Sequence, residues 1–293
     1  MVGDTFQVGY RFQRYWDTPM ANAFFFGELG AGLFTVSMLF DFVLGMTIGL
    51  LTTGIFKPYF HLAHMGVPLR SWRALLRPDR SWTSRGLIGI AIFMGAGTVD
   101  TLNVAFDLET TLGLGSTPGN LVQLVAAAAA LVVMTYQGFA MAHSTAISLW
   151  DTNLMPVSSL LYALIGGVVL ALALGWNGWL AESPEDLRLL VNAALILLAL
   201  ILVVLLILLR GASQRSAGGR LSVEILLQTQ YAKWFISMVG GVGLVLPAVL
   251  LLFAGTNYIA VLLAAAAVLG GYYAYRVLIM KAGVFEPIMD FRP

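Results

Sequence analysis

The chain has 293 residues, of which 59% are hydrophobic and only 11% charged, and its mean hydropathy is +0.86. A soluble domain carries about 25% charged residues, so this composition excludes an ordinary soluble protein. The absence of cysteine excludes thiolate metal sites, iron–sulfur clusters and disulfides within the chain, and the net charge of +1 gives no global field for nucleic acid.

Apolar runs follow one another along the chain, each close to the ~20 residues that a spanning helix needs. They cover residues 22–40, 42–65, 86–106, 119–143, 157–180, 184–209, 231–255 and 257–278. The first two form one continuous stretch, which we split at Asp41 because a single helix of that length does not fit a bilayer. The alternating pattern of barrel strands is absent. We therefore predict an all-α polytopic membrane protein with about eight transmembrane helices, arranged as two four-helix bundles.

The charges divide the chain into two faces. With an even helix count, both termini and the loops after the second, fourth and sixth predicted helices share one side, which collects 14 of the 16 Lys and Arg residues. The other side gathers the acidic residues Asp107, Glu109, Glu182, Glu185 and Asp186. The positive-inside rule therefore predicts that both termini are cytoplasmic. The predicted domains are an interfacial segment over 1–21, a first bundle over 22–156, and a second bundle with a short C-terminal tail over 157–293.

Three polar residues in predicted helices fall at a similar depth from the basic face. At 1.5 Å per residue, Glu28 lies about 9 Å deep, Lys57 about 12 Å and Tyr136 about 10 Å. One interpretation of Glu28 and Lys57 is a structural ion pair, and the other is a direct part in proton or quinone chemistry. Lys57 is also able to extend its amine toward the headgroups.

Histidines extend this polar layer toward the basic face. Lys57, His61 and His64 stand at i, i+4 and i+7, so they share one face of the second helix. Asp100, about 21 Å from the basic face, is either a proton relay toward the acidic side or a protonated, hydrogen-bonded group. In the last helix, the group Tyr272, Tyr273, Tyr275 and Arg276 is interpreted as an interfacial aromatic belt.

Several motifs carry a family resemblance. HMGVPLRSWR at 64–73 followed by SWTSR at 81–85, FGELGAG at 26–32, TYQG at 135–138 and WDTNLMP at 150–156 occur in this order. In order and spacing they resemble the NrfD/polysulfide-reductase membrane-subunit family, which also includes the dimethyl-sulfoxide-reductase anchor. The sequence departs from that pattern at Gly86, where some relatives have an acid, and at Glu28, which replaces a small residue. One hypothesis is that Glu28 supplies the missing carboxylate.

The resemblance implies a membrane anchor in the bacterial cytoplasmic (inner) membrane. Such a subunit would react with a quinone, menaquinone or ubiquinone, and exchange electrons and protons with a ferredoxin-like iron–sulfur subunit, which serves a molybdopterin catalytic subunit. It would act as an enzyme only as the quinone-oxidoreductase subunit of this complex. Membrane lipid is the other expected partner, and no metal ligands, haem or nucleic acid are expected.

The resemblance also implies site residues. The family's histidine and tyrosine that match His64 and Tyr136 are associated with the quinone headgroup, and we add His61 and Glu28 to this predicted quinone site. The predicted proton-transfer residues are Glu28, Asp100 and Lys57. The loop between the second and third helices is the predicted docking surface for the partner, with Arg70, Trp72, Arg73, Arg77, Arg80, Trp82 and Arg85.

Other classes of membrane protein remain open. A secondary transporter or proton channel would be expected to have broken helices and inverted repeats. Pro247 and the glycines of the first helix are possible breaks, but the two halves contain no corresponding pair. A haem-b quinol oxidoreductase anchor would use His64 and His143 as ligands, and an inert anchor would make no use of the polar layer.

Overall fold

The protein is built almost entirely from helices. The computed structural model describes residues 9–108, 111 and 116–287, and 82% of it is helical. The long helices that are apolar enough to cross a membrane are α2 (Val43–His64), α3 (Trp82–Phe106), α4 (Ser116–Ala142), α5 (Leu154–Gly175), α6 (Pro184–Arg215), α8 (Ala232–Ala254) and α9 (Tyr258–Lys281). The prediction of an all-α polytopic membrane protein is confirmed.

The first long helix, α1 (Thr18–Met38), is less apolar because it contains Asn22, Glu28 and several glycines. Its 21 residues are nevertheless long enough to span the hydrocarbon. It packs against α2, α4, α5 and α9, and most of its residues are buried. A helix that contacts protein on most sides needs no apolar surface for lipid, so polar residues are tolerated here.

The predicted break at Asp41 is confirmed. Helix α1 ends at Met38 and α2 begins at Val43. In the turn between them Asp41 has a left-handed backbone (φ 51°), and the Phe42 amide donates to the Ser37 carbonyl at 2.9 Å. A short polar side chain such as that of aspartate tolerates this conformation better than most residues do.

Two of the spanning helices contain wider, π-helical segments. One covers Thr52–Phe56 in α2 and the other covers Phe235–Val245 in α8. Each is followed within two residues by a proline, Pro58 or Pro247, which has no N–H to donate and whose ring crowds the preceding turn. The regular helix resumes at Lys57, so the predicted i, i+4, i+7 spacing holds from there to the end of α2.

Some elements were not predicted. A 3-10 segment, Pro68–Leu76, lies in the basic loop, and helix α7 (Ala217–Gln228) lies between α6 and α8. Two short strands, β1 (Arg11–Phe12) and β2 (Val284–Phe285), pair antiparallel and join the two ends of the described chain. A short helix, Trp179–Glu182, lies between α5 and α6, so the predicted fifth helix ends early, at Gly175.

Helices α1 and α5 contribute to both apolar clusters of the interior. They cross closely at glycines: a Cβ at Gly32 would overlap the Ala163 carbonyl, and one at Gly167 would overlap the backbone of Gly32. Small residues allow such close backbone contact between membrane helices. The division into two four-helix bundles at residue 156 stays a prediction.

Parts of the sequence interpretation fall outside the described residues. These parts are residues 1–8 of the predicted interfacial segment, residues 288–293 of the C-terminal tail with Arg292, and Glu109 on the acidic side.

Candidate functional site

Lys57 and Tyr136 form the centre of the candidate site. Both side chains are buried, Lys57 to 1% exposure and Tyr136 to 4%. The Lys57 Nζ atom lies 4.8 Å from the centroid of the Tyr136 ring and 3.4 Å from the Ala23 carbonyl oxygen. The two residues, which were predicted to lie at a similar depth, are therefore in contact through their side chains, one from α2 and one from α4.

Glycines make room for both side chains. A Cβ at Gly27 would overlap the Lys57 side chain, and a Cβ at Gly86 would overlap the Tyr136 ring. Next to Tyr136, the Gln137 amide donates to the Phe24 carbonyl at 3.4 Å, which ties α4 to α1. Gly27, within the FGELGAG motif, and Gly86, directly after SWTSR, therefore provide space for the two polar side chains.

The predicted histidine stripe continues from Lys57 toward the basic face. His61 is partly buried with its ring 6.3 Å from that of Phe24 in an edge-on arrangement. His64, near the end of α2, has its Nδ1 atom 3.1 Å from an oxygen of Asp17. Because the carboxylate contacts Nδ1, the Nε2 atom of His64 remains available to another group.

Glu28 corrects the sequence interpretation. Its carboxylate forms an ion pair at 2.5 Å with Arg276 of α9, and both side chains have 0% exposure. Tyr272 also donates its hydroxyl to this carboxylate, and Arg276 donates to Ser159 at 2.9 Å. The interpretation of Glu28 and Lys57 as a structural ion pair was therefore wrong, as was the interpretation of Tyr272 and Arg276 as part of an interfacial belt.

This error has a physical cause. Glu28 and Arg276 are 248 residues apart in the chain, so no local spacing connects them. A charged residue five residues from the end of a helix is usually interfacial, and Arg276 lies at such a distance from Lys281. The one usable signal was that Glu28 needs a cation at its own depth, and the last helix offers Arg276.

Aromatic rings form a wall beside the site. Phe26 of α1 stacks on Phe56 at 4.8 Å and on Phe60 at 5.6 Å between ring centroids, and Tyr59 contacts Phe60 edge-on at 5.1 Å. Phe56 is 44% exposed and Tyr59 is 64% exposed. These residues lie within a helix that is long and apolar enough to span a membrane, so this aromatic surface is exposed within a spanning segment.

The predicted docking loop connects α2 to α3. Arg85 donates to the carbonyls of Pro78 and Asp79 at 2.8 and 3.1 Å, and its guanidinium lies 4.5 Å from the Trp82 ring. Trp82 in turn stacks on Phe139 at 4.3 Å and bonds His143 at 3.2 Å. Arg85 and Trp82 therefore hold the loop against α3 and α4. The other arginines of the predicted set, Arg70, Arg73, Arg77 and Arg80, are exposed.

Asp100 lies away from this site, toward the acidic end of α3. Its side chain is 2% exposed, and its Oδ2 atom has no hydrogen-bond partner among the described residues. It lines a cavity together with Asp41 and Asp107. The structure therefore groups Lys57, Tyr136 and the histidines, separates Glu28 into an ion pair with α9, and separates Asp100 into a cavity.

A comparison with protein families assigns the chain. The family model described as polysulphide reductase, NrfD, matches residues 9–287, which is nearly the whole sequence. The chain belongs to the NrfD polysulphide reductase family. Members of the NrfD family are membrane subunits of oxidoreductase complexes and are associated with quinone interaction and with iron–sulfur and molybdopterin subunits. None of the curated proteins compared with the chain matches it significantly.

Proposed function

We propose that this protein is the membrane-anchor and quinone-reacting subunit of a multi-subunit oxidoreductase. In this function it exchanges electrons and protons between the membrane quinone pool and a ferredoxin-like iron–sulfur subunit, which serves a molybdopterin catalytic subunit. The catalytic complex binds on the basic face, and the positive-inside rule assigns that face to the cytoplasm.

The observation that carries the proposal is the incomplete hydrogen bonding of Lys57. A protonated lysine offers three N–H donors, and among the described residues the Lys57 amine has one acceptor, the Ala23 carbonyl at 3.4 Å. A buried donor without an acceptor is costly. A quinone carbonyl beside Tyr136 would accept from Lys57, and the amine would stabilise the negative charge that develops on the oxygen when the quinone is reduced.

The other residues have separate parts in this proposal. Tyr136 donates its hydroxyl to the headgroup, and His61 and His64 pass protons between the headgroup and the basic face, since an imidazole ring both donates and accepts hydrogen bonds. Glu28 is proposed as a proton-transfer residue through its Oε1 atom alone, which has no hydrogen-bond partner among the described residues, while its Oε2 atom is held by Arg276 and Tyr272. The aromatic wall of Phe56 and Tyr59 supports an apolar, lipid-facing entrance for the isoprenoid tail.

The basic loop supports docking of a partner. Large apolar side chains are exposed beside its arginines: Leu69 is 89% exposed, Trp72 is 56% exposed and Leu76 is 60% exposed. An exposed apolar surface with a charged rim is typical of a protein interface. This chain contains no cysteine and so holds no iron–sulfur cluster, and the proposal assigns the cluster that exchanges electrons with the quinone to a protein bound near this surface.

The test uses the complex isolated through a tag on this chain. We expect Lys57→Met and Tyr136→Phe each to lower quinone-dependent turnover by about 10- to 100-fold. Each substitution removes one hydrogen bond to a charged group, which contributes about 1.5–3 kcal/mol, and each ~1.4 kcal/mol of barrier is a factor of ten in rate. Activity with an artificial soluble dye should not change, because the dye bypasses the quinone site. Lys233→Met, which removes an exposed lysine, is the matched control. Unchanged quinone kinetics in both site variants would refute the proposal.

A further inference from the structure

A second polar region lies at the acidic end of the helices, away from the candidate quinone site. A cavity of about 640 Å³ opens between the start of α2, the end of α3 and the start of α4. Among the described residues, nine line the cavity, and six of them carry a carboxyl or carboxamide group, namely Asp41, Asp100, Asn103, Asp107, Asn120 and Gln123. A polar cavity of this size is wide enough to hold many water molecules.

Asp100 is the innermost acid of this cavity along α3. It lies on the third helix seven residues before Asp107, which is about 10 Å along the axis. Its side chain is 2% exposed, and its Oδ2 atom lacks a hydrogen-bond partner among the described residues. Burying an unpaired carboxyl group costs several kcal/mol unless water or a proton reaches it. The cavity provides a route for both.

The charges around Asp100 all have the same sign. Asp41 and Asp107 are exposed at the two helix ends that border the cavity, and α4 contributes the neutral amides of Asn120 and Gln123. No lysine, arginine or histidine lines the cavity within the described chain. A cleft with one sign of charge and low-dielectric walls concentrates the field and raises the local concentration of cations, including hydronium.

The geometry favours protons over a metal ion as the cation. Among the described residues, no three carboxylate or imidazole groups converge closely enough to hold a metal. Carboxamides neither gain nor lose a proton near neutral pH, but they donate and accept hydrogen bonds, so they are suited to ordering water. Of the three carboxylates among the described lining residues, Asp41 and Asp107 are exposed at the helix ends, so Asp100 is the buried group that accepts the proton.

We propose that this cavity is a water-filled proton well that connects Asp100 to the acidic face of the membrane. A hydronium ion in the cavity transfers a proton to the Asp100 carboxylate and leaves a water molecule, and the reverse step releases the proton to the same face. This function does not depend on the quinone reaction, since it uses none of the residues of the Lys57–Tyr136 site.

The first test measures whether water reaches the cavity. The natural chain has no cysteine, so a single introduced cysteine reports only its own surroundings. Gln123→Cys lines the cavity, whereas Leu124→Cys, at the same depth on α4, replaces a side chain that is 66% exposed toward lipid. A small, membrane-impermeant thiol reagent attacks the thiolate, which forms in water and not in hydrocarbon.

We expect the reagent, added to the acidic face of vesicles containing the full complex, to modify Gln123→Cys about tenfold faster or more than Leu124→Cys. Addition to the basic face should give no such difference. Equal rates at the two cysteines from the acidic face would overturn the proposal.

The second test follows the proton itself. Infrared difference spectra recorded between two pH values should contain a carboxyl band that disappears in Asp100→Asn and shifts when D2O replaces water. Asp107→Asn, at the exposed end of α3, should keep this band and serves as the control. If the cavity cysteine reacts but no pH-dependent band belongs to Asp100, the cavity holds water without exchanging protons with this residue, and the proton well is refuted.

Discussion

Removing the charge of Glu28 should be among the most destabilising conservative substitutions in the protein. The Glu28 carboxylate and the Arg276 guanidinium are both fully buried and 2.5 Å apart. Among the described residues the Arg276 Nε and NH1 atoms have no hydrogen-bond partner, so Arg276 depends on Glu28 and Ser159. In Glu28→Gln, a buried guanidinium loses its counter-charge, and breaking a buried pair in this way costs about 3–5 kcal/mol.

The double variant separates charge from packing. Arg276→Met keeps much of the side-chain volume and removes the cation, so Arg276→Met alone should also destabilise the fold. The double variant with Glu28→Gln contains no buried charge at this pair. Its loss of unfolding free energy should therefore be smaller than the sum of the two single losses by about 2–3 kcal/mol, which is the coupling expected for side chains in contact. The side-chain amide oxygen introduced by Glu28→Gln would still accept a hydrogen bond from Tyr272.

The measurement is equilibrium unfolding of the purified protein in mixed detergent and SDS micelles. Intrinsic tryptophan fluorescence is suitable as the signal, since the chain has seven tryptophans. Additive free energies of unfolding, or a loss below about 1 kcal/mol for Glu28→Gln, would refute the reasoning, because either result means that the two side chains do not depend on each other.

Two further predictions concern the quinone site and the orientation. Gly86→Ala places a methyl group against the Tyr136 ring, so we expect it to reduce quinone-dependent turnover while dye activity stays normal. The control is Gly95→Ala, which has open space around it and should match the natural protein. Equal quinone kinetics in the two variants would contradict the contact between Gly86 and Tyr136. The orientation is tested with single cysteines introduced at the exposed residues Ala181, just before α6, and Gln214, at the end of α6. We expect a membrane-impermeant reagent added to intact cells to label only Ala181→Cys. Labelling of only Gln214→Cys would mean that the basic face lies outside the cell.

The sequence predicted the features that depend on local composition. The apolar runs correspond to the spanning helices because hydrocarbon forces the backbone into helices. Asp41 marked the turn since a charged residue in a run too long for one helix must lie at an interface. The similar depth of Glu28, Lys57 and Tyr136 was predicted from the helix positions, but depth alone did not identify which of these side chains touch: Lys57 contacts Tyr136, and Glu28 pairs with Arg276.

The features that depend on contacts between distant segments were not predicted. Arg276 was assigned to the basic face because a long side chain near a helix end usually reaches the headgroups, and only its pairing with Glu28 explains its burial. Helix α7 and the Pro68–Leu76 segment were missed for a different reason. They are short and lie outside the apolar runs, so hydropathy gives no signal for them.

The ion pair also has a consequence for the order in which the helices enter the membrane. Glu28 enters the membrane with α1, and its partner Arg276 follows 248 residues later with α9. Until then every nascent intermediate contains an unneutralised carboxyl group within the bilayer. Such an intermediate is vulnerable to degradation, since exposed polar groups in hydrocarbon are costly. A chain truncated before α9 would therefore keep an unpaired carboxyl group in the membrane, and insertion of Arg276 neutralises it.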